Sequence, residues 1–270
     1  MVWVRTSIRN LKKCLHGGLN KRLLEAMHIN TKNIIDFSAN LNPYGPPKFI
    51  LRAVKEAITD VCLYPDSECD YLRQAISEKI KCAKNEVLVG RGITGHLQSI
   101  GLSFINERAV MPAHTYGEYF VISKMMGAKV KFIPMPNLKI EPKAFAENMR
   151  RSDVIFICNP NNPTGQYLGK EATKLIVDCA KEKDALVIID EAYVDFIKNK
   201  FDTTKLATDS ENLIVLRSFT KSYSIPGIRV GYAVSHEKNI EILAKVAPPW
   251  SVSVFEQIAG LEAVKDKKFL

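Results

Sequence analysis

Nothing in this 270-residue chain approaches the roughly 20 consecutive apolar positions that a membrane-spanning helix needs, which excludes a transmembrane protein. Cysteine is present but unpatterned. Cys14, Cys62, Cys69, Cys82, Cys158 and Cys179 fall at irregular spacings with no C-x-x-C. The five histidines add no ligand cluster along the sequence, so no metal site is signalled. Free thiols of this kind fit a reducing, cytoplasmic setting. Basic residues exceed acidic ones, 38 to 29, for a net +9, yet they form no long block and no recognisable DNA- or RNA-binding motif. The surplus therefore points to an anionic small ligand rather than nucleic acid. Acidic residues are missing before Glu25, while Arg5, Arg9, Lys12 and Lys13 crowd the same stretch. It has no apolar core of a secretory signal and is short for a transit peptide, so it reads as a basic arm. What remains is ordinary globular composition, 46% hydrophobic and 25% charged, which excludes disorder.

Short apolar runs alternate with amphipathic stretches. Strands are expected at Val87–Gly90, Ala109–Met111, Val130–Ile133, Val154–Cys158, Leu186–Asp190, Leu213–Leu216 and Val230–Val234. Helices are expected at Ile93–Phe104, Glu118–Met126, Lys170–Lys183 and Val254–Lys265. Several strands are near-continuous β-branched runs, as strands covered on both faces require. This alternation predicts a doubly wound α/β domain with a largely parallel sheet. Residues 1–46 read as an arm ending in the turn-rich run Asp36–Pro47, residues 47–250 as the α/β domain, and residues 251–270 as the start of a further helix. Ligands of such sheets bind at the carboxyl ends of the strands.

The strand ends are where the chemistry concentrates. Gly90-Arg91-Gly92-Ile93-Thr94-Gly95 matches the dinucleotide fingerprint G-x-G-x-x-G, but no acid closes the second strand to hold a ribose. A phosphate held by N–H groups at a helix N-terminus survives that test. Asn159-Pro160-Asn161-Asn162-Pro163-Thr164-Gly165 follows the fourth strand, and its composition is also what a tight turn needs. Asp190 ends the fifth strand, where burial is costly for an unpaired carboxylate, and Tyr193 follows three residues on. Ser218 and Lys221 follow the sixth strand, with Arg229 eight residues later.

Gathered on one rim, these residues suit a phosphorylated pyridine aldehyde. Lys221 supplies an amine to join the aldehyde, and Asp190 keeps the ring nitrogen protonated. Asn162 and Tyr193 hydrogen-bond the ring oxygen. Ser218, Arg229 and the loop Gly92, Ile93 and Thr94 take the phosphate, Arg229 through a charge-assisted contact.

The motifs Asn-Pro-Asn-Asn-Pro-Thr-Gly, Asp190-Glu191-Ala192-Tyr193, Ser218-Phe219-Thr220-Lys221 and Gly227-Ile228-Arg229-Val230-Gly231-Tyr232, in this order, resemble the fold type I pyridoxal-phosphate enzymes of the class I/II aminotransferase group. The resemblance runs from about His16 onward. It implies a seven-stranded, mostly parallel sheet with one antiparallel strand and helices on both faces, pyridoxal 5'-phosphate as cofactor, and a homodimer with active sites at the subunit interface. It also implies that Tyr116 stacks on the pyridine ring and that Tyr64 is lent to the neighbouring subunit's cofactor phosphate. The family continues into a C-terminal small domain whose arginine clamps the substrate carboxylate, and that arginine has no match before Leu270.

Within the group, His16-Gly17-Gly18, Asp36-Phe37-Ser38-Ala39-Asn40-Leu41-Asn42-Pro43 and Pro248-Pro249-Trp250-Ser251-Val252-Ser253 are similar to threonine-phosphate decarboxylase of cobalamin synthesis, although Ser253 stands where Asn is usual there. That resemblance implies a phosphorylated amino acid as substrate, with His16, Gly17, Asn40 and Asn42 contacting it. The alternatives are histidinol-phosphate aminotransferase, which shares Asn-Pro-Tyr-Gly-Pro, and a truncated, catalytically silent cofactor-binding protein.

Overall fold

The protein is described by a computed structural model covering residues 3–30 and 34–270; residues 1, 2 and 31–33 of the arm lie outside the described residues. Two short helices, α1 (Thr6–Arg9) and α2 (Lys21–Ala26), occupy the arm, followed by α3 (Lys48–Glu56) and α4 (Asp70–Ile80). The alternating part runs β1 (Val87–Gly90), α5 (Gly92–Phe104), β2 (Arg108–Pro112), α6 (Glu118–Met125), β3 (Lys129–Ile133), α7 (Pro142–Asn148), β4 (Val154–Cys158), α8 (Lys170–Glu182) and β5 (Leu186–Asp190). It continues through α9 (Thr204–Thr208), β6 (Leu213–Ser218), β7 (Gly231–Val234), α10 (Glu237–Val246) and α11 (Val254–Lys265).

The strands form one sheet in the order β1-β7-β6-β5-β4-β2-β3. β7 runs antiparallel to both of its neighbours and every other pairing is parallel. Successive side chains on a strand point to opposite faces, and each face here has its own core. Ile155, Ile157, Val187, Ile189 and Val215 join one, with Leu72 of α4, Ile176 of α8 and Ala259 of α11. Phe156, Ile188, Ile214 and Leu216 join the other, with Leu97 of α5, Tyr119 of α6 and Leu243 of α10. All five residues of β4 are buried, which explains its unbroken apolar run. Each such side chain contributes about 1.5–3 kcal/mol by leaving water.

Register sets the working rim. Cys158 lies opposite Asp190, Asp190 opposite Leu216, and both Ser218 and Gly90 opposite Gly231. The sequence reading stops β6 at Leu216, because Arg217 interrupts the apolar run. The strand continues because Arg217 Nε donates to Glu191 Oε2 at 2.8 Å and Ser218 pairs with the reversed strand. Ser253 is the N-cap of α11: its hydroxyl accepts from Glu256 N, and Glu256 Oε2 accepts from Ser253 N at 2.6 Å. That is a local reason for a hydroxyl at this position.

At the opposite edge of the sheet, Asp153 is buried and joins the starts of β2 and β4. Its carboxylate accepts from Arg108 Nε at 2.8 Å, from Arg108 Nη2, and from Arg150 N at 2.7 Å. Removing one partner of a buried pair strands the other charge. Asp153→Ala should therefore cost about 3–5 kcal/mol in urea unfolding, with Asp153→Asn retaining part of the loss; an unchanged midpoint would show the pair to be idle.

Candidate active site

Three consecutive strand ends and one helix start build the site. Gly92 has φ +65°, a conformation glycine adopts without strain, and it turns the chain from β1 into α5. No side chain caps α5, so its first N–H groups remain available as anion donors. Across from this turn, a Cβ on Gly231 would meet Arg217 O at 2.7 Å and Gly92 Cα at 3.4 Å. The close approach of β7 brings Arg229 over the turn, with Nη2 3.1 Å from where a Gly92 Cβ would sit.

Asp190 is the electrostatic centre. It is 3% exposed; Oδ2 accepts from Tyr119 O–H at 2.7 Å and Oδ1 accepts from Ala192 N at 2.9 Å. Burial pushes its pKa up to about 6, against the pull of those two bonds and of Lys221. Lys221 is depressed, mainly by burial and then by the Arg229 guanidinium, with Asp190 opposing. Ser218 Oγ and Thr220 Oγ1 lie 2.8 Å apart, and Thr220 N donates to Ser218 Oγ at 3.1 Å. Tyr116 shares a side-chain hydrogen bond with Thr94, and burial raises it to about 12. Tyr193 is raised by burial while Asn40 hydrogen-bonds it, and Asn162 Nδ2 lies 3.5 Å from its hydroxyl.

One cavity is lined by Lys221, Asp190, Tyr193, Asn162 and Tyr116, and on its anion-binding side by Ile93, Thr94, Ser218 and Arg229. The fold thus brings together residues that the sequence suggested separately. Thr220, Cys158 and Ala192 line it as well. Sequence reasoning missed Tyr119, whose signal was its place three residues after Tyr116 in the first turn of α6. Its ring stacks on Phe156 at 5.0 Å, which fixes the hydroxyl under Asp190.

Other candidates lie elsewhere. Tyr64 is 82% exposed and packs against Trp250 with ring centroids 4.9 Å apart, outside the cavity. Asn42, expected at the substrate, lies against the Lys221 loop. Its Nδ2 donates to Ser222 O at 2.9 Å, its Oδ1 accepts from Tyr44 N at 3.1 Å, and its N–H donates to Lys221 O at 3.0 Å. Asn42 therefore supports the Lys221 loop from behind. Gly17 packs on the Ser38 carbonyl. His16 reaches Glu118, Nε2 to Oε1 at 2.8 Å, with its ring 6.0 Å from that of Tyr116. Cys14, His16 and Glu118 converge although their spacing gave no sign of it, because the fold closes a gap of 102 residues.

The family model for aminotransferase class I and II matches residues 32–270. The chain belongs to this family. Its cofactor is accordingly pyridoxal 5'-phosphate, and the cavity fits that group: an amine, a buried carboxylate, an aromatic face and an anion-binding helix start surround one space. The histidinol-phosphate aminotransferase of Caldicellulosiruptor saccharolyticus is 32% identical over 90% of this chain and 69% of its own. A relative from Caldanaerobacter subterraneus subsp. tengcongensis, provisionally named threonine-phosphate decarboxylase, is 30% identical over 86% of this chain and 64% of its own. The structure of histidinol-phosphate aminotransferase from Clostridium acetobutylicum superposes with TM-score 0.78 at 27% identity, over 87% of this chain and 71% of that one. Among the described residues no helix is long and apolar enough to cross a membrane.

The raised Asp190 has a thermodynamic signature in the cofactor-free protein. Between pH 4 and 6 the native state keeps a proton that the unfolded chain has released, so this contribution is complete below the unfolded value of 3.8 and is lost as pH rises through about 6. The stability difference between wild type and Asp190→Asn should fall across that window, by at most about 1.4 kcal/mol per pH unit. Urea midpoints from pH 4 to 7 measure it, and a flat difference would contradict the burial argument. Tyr119→Phe removes a donor to the carboxylate, and a hydrogen bond to a charged group is worth about 1.5–3 kcal/mol. The Asp190 midpoint in that variant should rise by about 1–2 units, read from the carboxyl infrared band.

Proposed function

We propose that the protein decarboxylates O-phospho-L-threonine. The observation that carries this reading is the placement of His16. The arm that holds His16-Gly17-Gly18 folds back so that the imidazole stands 6.0 Å from the ring of Tyr116, itself a lining residue of the cavity, and the Asn40 side chain of the same arm reaches Tyr193. A substrate phosphate held there would meet a hydrogen-bonding imidazole beside Tyr116. The decarboxylase name carried by a relative at 30% identity supports the same substrate class.

When bound, pyridoxal 5'-phosphate supplies an electron-accepting ring that stabilises charge left on the substrate α-carbon. The protein's residues do the rest. Lys221, with its pKa depressed by burial and by Arg229, carries a larger neutral fraction and so a better nucleophile. Asp190 holds a proton at the pyridine nitrogen from within a dry pocket. Arg229, Ser218, Thr94 and the free N–H groups of α5 bind and orient the cofactor phosphate. Asn162 and Tyr193 offer hydrogen bonds to the ring oxygen. Which α-carbon bond breaks depends on the orientation of the substrate, and contacts to its phosphate set that orientation.

A second reading, histidinol-phosphate aminotransferase, is favoured by the relative at 32% identity. The two separate cleanly. The loaded protein should show a visible absorbance band that Lys221→Ala removes, and should release carbon dioxide from O-phosphothreonine. Histidinol phosphate that instead converts the cofactor to its amine form would reverse the assignment. A band without turnover of either compound would support the catalytically silent alternative. His16→Gln should raise KM for O-phosphothreonine by about 10-fold or more, in line with a lost hydrogen bond to a charged group, with a smaller effect on kcat.

A further inference from the structure

Cys14 Sγ, His16 Nε2 and a Glu118 carboxylate oxygen all lie within 4.8 Å of one another. A thiol, an imidazole and a carboxylate are zinc's donor set, and three protein ligands with an open fourth position is a recurrent zinc arrangement. Ligand bonds of about 2.0–2.3 Å to a tetrahedral ion put donor atoms roughly 3.3–3.8 Å apart. His16 Nε2 and Glu118 Oε1, now 2.8 Å apart, would open by under an ångström or so, and Cys14 would close by a similar amount. The arm can make this adjustment, because the His16 side chain is about half exposed.

A feature of the backbone shows that the thiol has been given a place. A Cβ on residue 117 would collide with Cys14 Sγ. Gly117 has φ −64°, which any residue adopts, so glycine serves here for space and not for conformation. The missing side chain admits the thiol to the first turn of α6 beside Glu118. Cys14 and His16 are two residues apart in a stretch outside any helix, which lets both reach one point.

We propose that Cys14, His16 and Glu118 bind one thiophilic divalent cation of the zinc type, which pins the N-terminal arm to the start of α6 next to Tyr116. The ion would replace the His16–Glu118 hydrogen bond by three ligand bonds to one centre. It would also put positive charge where Glu118 otherwise offers a carboxylate to an approaching anion. The site needs neither a particular reaction nor a bound cofactor.

Zinc and cobalt titrations of the cofactor-free and cofactor-loaded protein test this. The expected result is one equivalent per chain in both forms and, with cobalt, a thiolate-to-metal charge-transfer band that Cys14→Ser abolishes. Zinc affinity, read by competition with a chromophoric chelator, should fall at least about 10-fold in Cys14→Ser, His16→Gln and Glu118→Gln. Gly117→Ala removes no ligand, yet should also weaken zinc by displacing the thiol. Cys62→Ser and His28→Gln, changes at exposed positions elsewhere, should leave it unchanged. No stoichiometric binding, no thiolate band, or dependence on Cys62 in place of Cys14 would overturn the proposal. Because binding is read without substrate, failure of the decarboxylase assignment would leave this result untouched.

Discussion

A carboxylate forced out of water at the end of a buried strand is the constraint around which the molecule is arranged. Asp190 ends β5, between β4 and β6 near the middle of the sheet, where no solvent can compensate it. The chain answers with two donors, the Tyr119 hydroxyl and the Ala192 N–H, and with the Lys221 amine nearby. These are fewer partners than a comfortable carboxylate would have, so its affinity for a proton stays raised. The deficit is the functional point: a group short of positive partners is poised to hold a protonated ring nitrogen. Tyr119 is in turn fixed by stacking on Phe156, a residue of β4, so the packing of one sheet face reaches directly into the chemistry.

The anion side of the cavity is built from backbone as much as from side chains. A Cβ on Gly231 would collide with Arg217 O and come within 3.4 Å of Gly92 Cα, while one on Gly92 would press on the Arg229 guanidinium. The result is an uncapped helix start beneath a guanidinium. The donors that count here are N–H groups set by the turn.

Much of this was legible beforehand. Buried β-branched runs such as Val154–Cys158 declare themselves, because strands covered on both faces have no polar alternation to confuse the reading. Asp190 and Lys221 stood out because each comes after such a run, and Arg229 because it sits just before the next one. What escaped was whatever depended on distance in space. Tyr119 looked like any helix residue until the fold put its hydroxyl on Asp190. Asn42 was expected at the substrate through the resemblance alone, and no local pattern showed that both ends of its amide are taken by backbone. The convergence of Cys14 and His16 on Glu118 joins segments with no shared local pattern. Arg217 broke an apolar run that the pairing with Glu191 allows to continue.

The reversal of β7 has a mechanical consequence. Because this strand begins, and does not end, at the working edge, the twelve-residue connection from Ser218 to Gly231 (219–230) starts and finishes at the same rim. The nucleophile and the guanidinium both ride on that one span, anchored at either end by hydrogen-bonded neighbours. The spacing of the two cations is therefore set within one connection tied at both ends to the same pair of strands.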